Sequence, residues 1–84
     1  MNHIRILFFA TLREKAGTKN LELELPPGAT VRTVKDAVIE QFPTIQENIE
    51  HCLASVNHEY SEDTTEIPTN AEIAFFPPVS GGNR

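Results

Sequence analysis

His3-Ile4-Arg5-Ile6-Leu7-Phe8-Phe9-Ala10 carries apolar side chains on both parities, with Ile4, Ile6 and Phe8 on one and Leu7 and Phe9 beside Arg5 on the other. Successive side chains of a strand point to opposite faces, so a segment that is apolar on both belongs inside a sheet. The Arg5 side is then the face the protein itself covers less. Thr11 to Lys19 is polar and contains Gly17, the composition of a turn or loop. Asn20 to Leu25 follows with strict alternation, Leu21, Leu23 and Leu25 against Glu22 and Glu24, the pattern of a half-buried strand. The two strands are expected to form a hairpin.

Pro26-Pro27-Gly28 ends the second strand, and Thr30 stands where a helix N-cap is needed, ahead of Val31, Val34, Val38 and Phe42 at helical spacing. Pro43 terminates that helix. Thr44 and Glu47 have capping-box spacing and place a short helical turn at Ile45 to Ile49. Cys52 to Asn57 reads as a third strand, and His58 to Thr65 shows no periodicity and reads as irregular. Ile67-Pro68 begins a turn, and Glu72 to Phe76 is a last strand halted by Pro77-Pro78. Hairpin, helix, strand, loop and strand in that order give an α+β layer, a β-grasp with a mixed sheet packed on one main helix. In a β-grasp the first and last strands lie side by side at the centre, and these are the most apolar segments here. Residues 1–78 are expected to form the β-grasp domain, and residues 79–84 a flexible tail carrying Gly-Gly.

The 84 residues suffice for one core, because a chain of this size buries only roughly 60–65% of its unfolded surface. With 39% hydrophobic and 23% charged residues, it has the composition of an ordinary soluble globular protein. Its longest apolar run, Ile6 to Ala10, is far short of a bilayer span, and Met-Asn-His-Ile-Arg lacks the features of a secretory signal. The expected location is the cytoplasm, with no membrane association. A single cysteine closes no internal disulfide and calls for no oxidising compartment. The net charge of −5 repels nucleic acid and anionic lipid and favours a basic partner.

The tail carries the functional signal. After Phe76 the chain reads Pro77-Pro78-Val79-Ser80-Gly81-Gly82, two rigid residues followed by progressively smaller ones. Glycine has no Cβ, so Gly-Gly can thread a narrow tunnel and deliver a carbonyl carbon to another protein's active site. A carboxylate there is a poor electrophile until joined to AMP as a mixed anhydride, which a sulfur donor can attack to leave a thiocarboxylate.

Ile6-Leu7-Phe8-Phe9-Ala10, Arg13-Glu14, Gly17, Ala54-Ser55-Val56-Asn57 and above all Glu72-Ile73-Ala74-Phe75-Phe76-Pro77-Pro78-Val79-Ser80-Gly81-Gly82 resemble the molybdopterin synthase small-subunit family almost from end to end. The resemblance implies a ubiquitin-like sulfur carrier that does no catalysis alone and holds no permanent cofactor. An adenylating enzyme similar to ubiquitin-activating enzymes would use ATP to activate Gly82, and a sulfurtransferase would supply sulfur. The thiocarboxylated tail, Gly81 and Gly82, would then enter the large subunit of a heterotetramer, whose catalytic residues sulfurate a cyclic pyranopterin monophosphate for the molybdenum cofactor. The resemblance also implies a partner-binding role for Phe9, Arg13, Phe76, Pro77, Pro78 and Val79. Two departures stand out. Thr69-Asn70-Ala71-Glu72 replaces the family's usual Asp-Gly-Asp-Glu turn, and Asn83-Arg84 follow Gly82, whose carbonyl is therefore an amide. Either a peptidase removes these two residues, or the gene product continues past them, or the chain is not an active carrier. A thiamine-type sulfur carrier and a ubiquitin-like protein modifier are the alternative functions.

Other candidates read more simply as structure. Cys52 has only His51 beside it, pointing to the other side of an expected strand, and reads as a small buried hydrophobe. His3, His51 and His58 lack metal-ligand spacing, so no metal site is expected. Glu22 and Glu24 alternate with leucines and read as a solvated face, and Glu59 to Glu66 lacks the glycine of a calcium loop. Phe8 and Phe75 are expected in the core. Phe9 and Phe76 are expected at an interface, because an aromatic pair on an outer sheet face costs solubility unless something covers it.

Overall fold

At the centre of the sheet, β1 (Asn2–Phe8) pairs in parallel with β5 (Glu72–Phe76), Phe8 lying opposite Phe75. The computed structural model describes residues 1–78, and the expected tail, 79–84, lies outside the described residues. β2 (Asn20–Leu25) flanks β1 antiparallel, while β3 (Leu53–Val56) and then β4 (Glu59–Ser61) complete the other side in the order β2-β1-β5-β3-β4. This is the mixed sheet of a β-grasp. Parity sorts its faces as the alternation requires: Ile4, Ile6, Phe8, Ile73 and Phe75 are buried against the helices, and His3, Arg5 and Phe9 are exposed on the other side.

The main helix, α2 (Val31–Gln41), buries Val31, Val34 and Val38 completely. Each such side chain contributes roughly 1.5–3 kcal/mol by leaving water. Its N-cap is Thr30, in a reciprocal pairing: the Thr33 N–H donates to Thr30 Oγ1 at 3.4 Å and the Thr30 N–H to Thr33 Oγ1 at 3.1 Å. Val31 and Arg32 lie beyond the cap and donate their N–H groups to the carbonyls of Thr65 and Asp63, so the segment after β4 closes the rest of the first turn. Phe42 caps the C-terminus and meets Phe8 edge-on, with centroids 6.1 Å apart.

Several elements differ from expectation. The polar stretch after β1 is a helix, α1 (Ala10–Ala16), so β1 stops at Phe8 and the expected antiparallel pair of β1 and β2 is joined through a helix instead of a loop. Gly17 ends α1 in the left-handed conformation, φ 77°, where glycine carries no Cβ penalty. Thr44 and Glu47 form no capping box: a 3₁₀ turn at Pro43–Ile45 leads into α3 (Gln46–His51), whose N-cap Ile45 has no side chain able to accept. His51 therefore ends a helix and is not a strand neighbour of Cys52. The stretch expected to be irregular contains β4, entered through Asn57 and His58 at φ 50° and 74°, the paired left-handed residues of a type I′ hairpin turn.

Candidate partner-docking site

Phe9 sits at the corner between β1 and α1 with extended backbone, its N–H donating to the Phe75 carbonyl at 3.3 Å and its carbonyl accepting from the Leu12 N–H at 3.1 Å. Ala10 takes the left-handed conformation, φ 53°, and turns the chain from sheet to helix there. Phe9 is thus held on the outer face at the end of β1. The parallel pairing brings the end of β5 to the same place, and the Phe9 and Phe76 rings stack with centroids 4.8 Å apart and planes 11° apart.

Two residues outside the sequence expectation extend this patch. Leu53 lies opposite Phe76 across β3 and β5, and Tyr60 meets Phe76 at 6.2 Å in an edge-on arrangement. Phe9, Leu53 and Tyr60 are 41%, 39% and 76% exposed, which makes one contiguous apolar surface on a small chain. A lone aromatic in a polar stretch gives no periodic signal, and only β4 brings Tyr60 beside Phe76.

Pro77 and Pro78 follow directly and help line a cleft of about 280 Å³ with Thr11, Leu12, Glu47 and His51. Arg13, one residue past Leu12 on α1, is exposed and forms no ion pair among the described residues. The structure therefore groups Phe9, Phe76, Pro77 and Pro78 at one end of the sheet, with Arg13 on the adjoining helix. Val79, Gly81 and Gly82 lie outside the described residues.

The remaining candidates lie elsewhere. The Cys52 thiol donates to the Ile49 carbonyl at 3.2 Å, and burial pushes its pKa up to about 11, which keeps it protonated and unreactive. His3 bonds Glu22 at 2.8 Å on the exposed side of the sheet. Among the described residues, no group of three or more His, Cys, Asp or Glu is placed to hold a metal ion, and no helix is long and apolar enough to cross a membrane.

A model described as the ThiS family matches residues 6–82, from the middle of β1 through both glycines of the tail. The chain belongs to the ThiS family. A relative from Arabidopsis thaliana, the molybdopterin synthase sulfur carrier subunit, is 34% identical over 94% of this chain and 82% of its own length. Among solved structures, the small archaeal modifier protein 1 of H. volcanii superposes with a TM-score of 0.85 at 25% identity, covering 94% of this chain and 100% of that one. In the complex of subunits 1 and 2 of the molybdopterin-converting factor from Helicobacter pylori, one chain shares the fold at a TM-score of 0.66 and 17% identity, over 95% of this chain and 99% of that one. ThiS-family membership and these neighbours agree with the β-grasp order read from the sequence.

Proposed function

We propose that this ThiS-family chain is a cytoplasmic sulfur carrier for molybdenum cofactor biosynthesis, with Gly82 as the sulfur-bearing end. The observation that carries the reading is positional. Phe9, Phe76 and Pro77-Pro78 form a single surface, so a partner covering the aromatic patch stands beside Pro78, four residues ahead of Gly82 in the sequence. The names of its relatives point to the same pathway.

Gly82 acts once whatever follows it, Asn83 first, has been removed, since an amide carbonyl offers no carboxylate oxygen for adenylation. The freed carboxylate attacks the α-phosphorus of ATP on an adenylating enzyme, and pyrophosphate leaves. The outer sulfur of a sulfurtransferase persulfide then attacks the carbonyl carbon and AMP leaves; a second thiol attacks the enzyme sulfur of the resulting acyl disulfide, forming a disulfide with it and releasing the thiocarboxylate. The large subunit of molybdopterin synthase receives that group through a tunnel too narrow for side chains, and it supplies the catalytic residues. A form ending at Gly82 should gain 16 mass units on sulfuration, about the difference between sulfur and oxygen, and the 84-residue form should not. Gly82→Ala in the shortened form should slow transfer, because its methyl sits where the path is narrowest. Sulfuration of the untrimmed chain, read by intact mass, would overturn the role given to Gly82.

A second reading, a protein modifier, is favoured by the likeness to the archaeal modifier. A ladder of conjugates in the native cell without co-purification of a large subunit would support it over the carrier.

A further inference from the structure

The outer face of the sheet is divided along the strands. The end bearing Phe9, Phe76, Leu53 and Tyr60 is apolar, while the other end carries His3, Arg5, Glu22, Glu24 and Glu72. Register places them together: Arg5 lies opposite Glu22 on one side and Glu72 on the other, and His3 opposite Glu24. At about 3.3 Å per residue, the Arg5 row lies about 13 Å and the His3 row about 20 Å from the Phe9 stack.

These carboxylates meet no permanent cation at ion-pair distance among the described residues. His3 lies 2.8 Å from Glu22 and 3.9 Å from Glu24, and His58 3.7 Å from Glu72, contacts that cancel charge only when the imidazole is protonated. The one guanidinium they face, that of Arg5, makes no ion pair with any of them within 4.0 Å. The acidic groups around α2 differ sharply: Arg32 holds Asp36 at 2.7 Å and Glu50 at 2.8 Å, and Lys35 holds Asp63 at 2.9 Å. Carboxylates paired with Arg or Lys make short-range fields, whereas those whose neighbours are neutral imidazoles keep their charge and reach out to about a Debye length, ~8–10 Å in physiological salt. Protection of an open edge explains acidic residues on β2, an edge strand. It does not explain Glu72, which sits on β5 inside the sheet.

We propose that Glu22, Glu24 and Glu72 form the electrostatic half of the docking face, matched by a basic patch on the large subunit about 13–20 Å from where its surface covers Phe9 and Phe76. This rests on the carrier reading above. The carboxylates orient the encounter so that the aromatic end, and with it the tail exit, meets the tunnel mouth. The stack then supplies the lasting contact, so charge governs association and apolar burial governs release.

Association rates with the large subunit from the same organism test this, using the trimmed chain at low and high salt. Glu24→Lys and Glu40→Lys change net charge equally, but Glu40 lies exposed on α2, away from the sheet face. Glu24→Lys should slow association about tenfold at low salt with little change in release, and Glu40→Lys less than about threefold. Glu24→Gln, which adds no cation, should slow it about threefold and serves if the lysine form melts early. Equal slowing by Glu24→Lys and Glu40→Lys, or none by either glutamate change, overturns the face-specific role while leaving the carrier reading intact. Phe76→Ser should speed release instead. If the unaltered chain fails to bind the large subunit at all, both readings fall.

Discussion

Cys52 illustrates how a single side chain can be chemically silent and still shape the pH response of the fold. Its thiol is buried at the end of α3, and burial raises its pKa from the ordinary 9.0 to about 11, against the smaller lowering effect of the Lys35 charge. Between those values the unfolded chain has released the proton and the folded chain has kept it. Fewer protons bound in the unfolded state mean that stability falls as pH rises through the window, and is flat on either side of it. A shift from 9.0 to about 11 corresponds to roughly 2–3 kcal/mol. Cys52→Ala should therefore lose some stability at neutral pH, by about 1 kcal/mol for a small cavity. It should also decline less steeply than the parent from pH 9 to 11. Urea midpoints taken across that range give the difference, and parallel curves for the two proteins would contradict the burial of the thiol.

The segment after β4 depends on α2, and the link is ionic as well as backbone. Lys35 is only 5% exposed and its ammonium meets Asp63 at 2.9 Å, while Arg32 binds Glu50, Asp36 and, at 3.5 Å, Asp63. Its bonds to Glu50 first and Asp36 next hold the Arg32 guanidinium above its ordinary pKa. Asp63→Ala strands a buried ammonium, but the Asp63 side chain is 43% exposed, so water can replace part of what is lost. A destabilisation of about 1–3 kcal/mol is expected, whereas Lys35→Met, which removes the buried charge altogether, should cost less than about 1 kcal/mol. Urea denaturation of both variants and their double checks this: a double variant no worse than Lys35→Met alone locates the cost in the unpaired ammonium. Lys35 also shows where sequence reading runs out. The valine stripe of α2 was legible because apolar residues recur at helical spacing, but a lysine beside it looks solvent-facing until the loop carrying Asp63 is folded over it. The seven residues of α1 bury only Leu12, too few for a period to show. β4 turns through Asn57-His58, which lacks the glycine that usually marks such a turn.

At the scale of the molecule, the fold divides one pair of central strands between two tasks, and adjacent phenylalanines show the division. The main helix and the inner and outer parity of β1 and β5 followed from alternation and punctuation, and the central pairing of first and last strands from the β-grasp order, whereas the place of β4 at the sheet edge did not. The union of Phe9 and Phe76 with Leu53 and Tyr60 required the tertiary register. Phe75 is fully buried beside Phe8 on the helix-facing side, while Phe76, one residue later, stacks on Phe9 outside. Phe75→Ala opens a cavity in a core that cannot refill it and should cost about 3–5 kcal/mol. Phe76→Ser removes a stack worth about 0.5–1.5 kcal/mol together with some half-buried area, so a loss near 1–2 kcal/mol is expected. The binding consequences should run the other way. Phe76→Ser, still folded at room temperature, should release the large subunit much faster, because an aromatic anchor at an interface centre commonly carries 2 kcal/mol or more, about a thirtyfold change in affinity. Thermal melts of both variants, set beside dissociation rates for Phe76→Ser, separate the two tasks. If Phe76→Ser proves as destabilising as Phe75→Ala, the outer aromatics belong to the chain's own stability, and the exposed patch is not a surface kept for a partner.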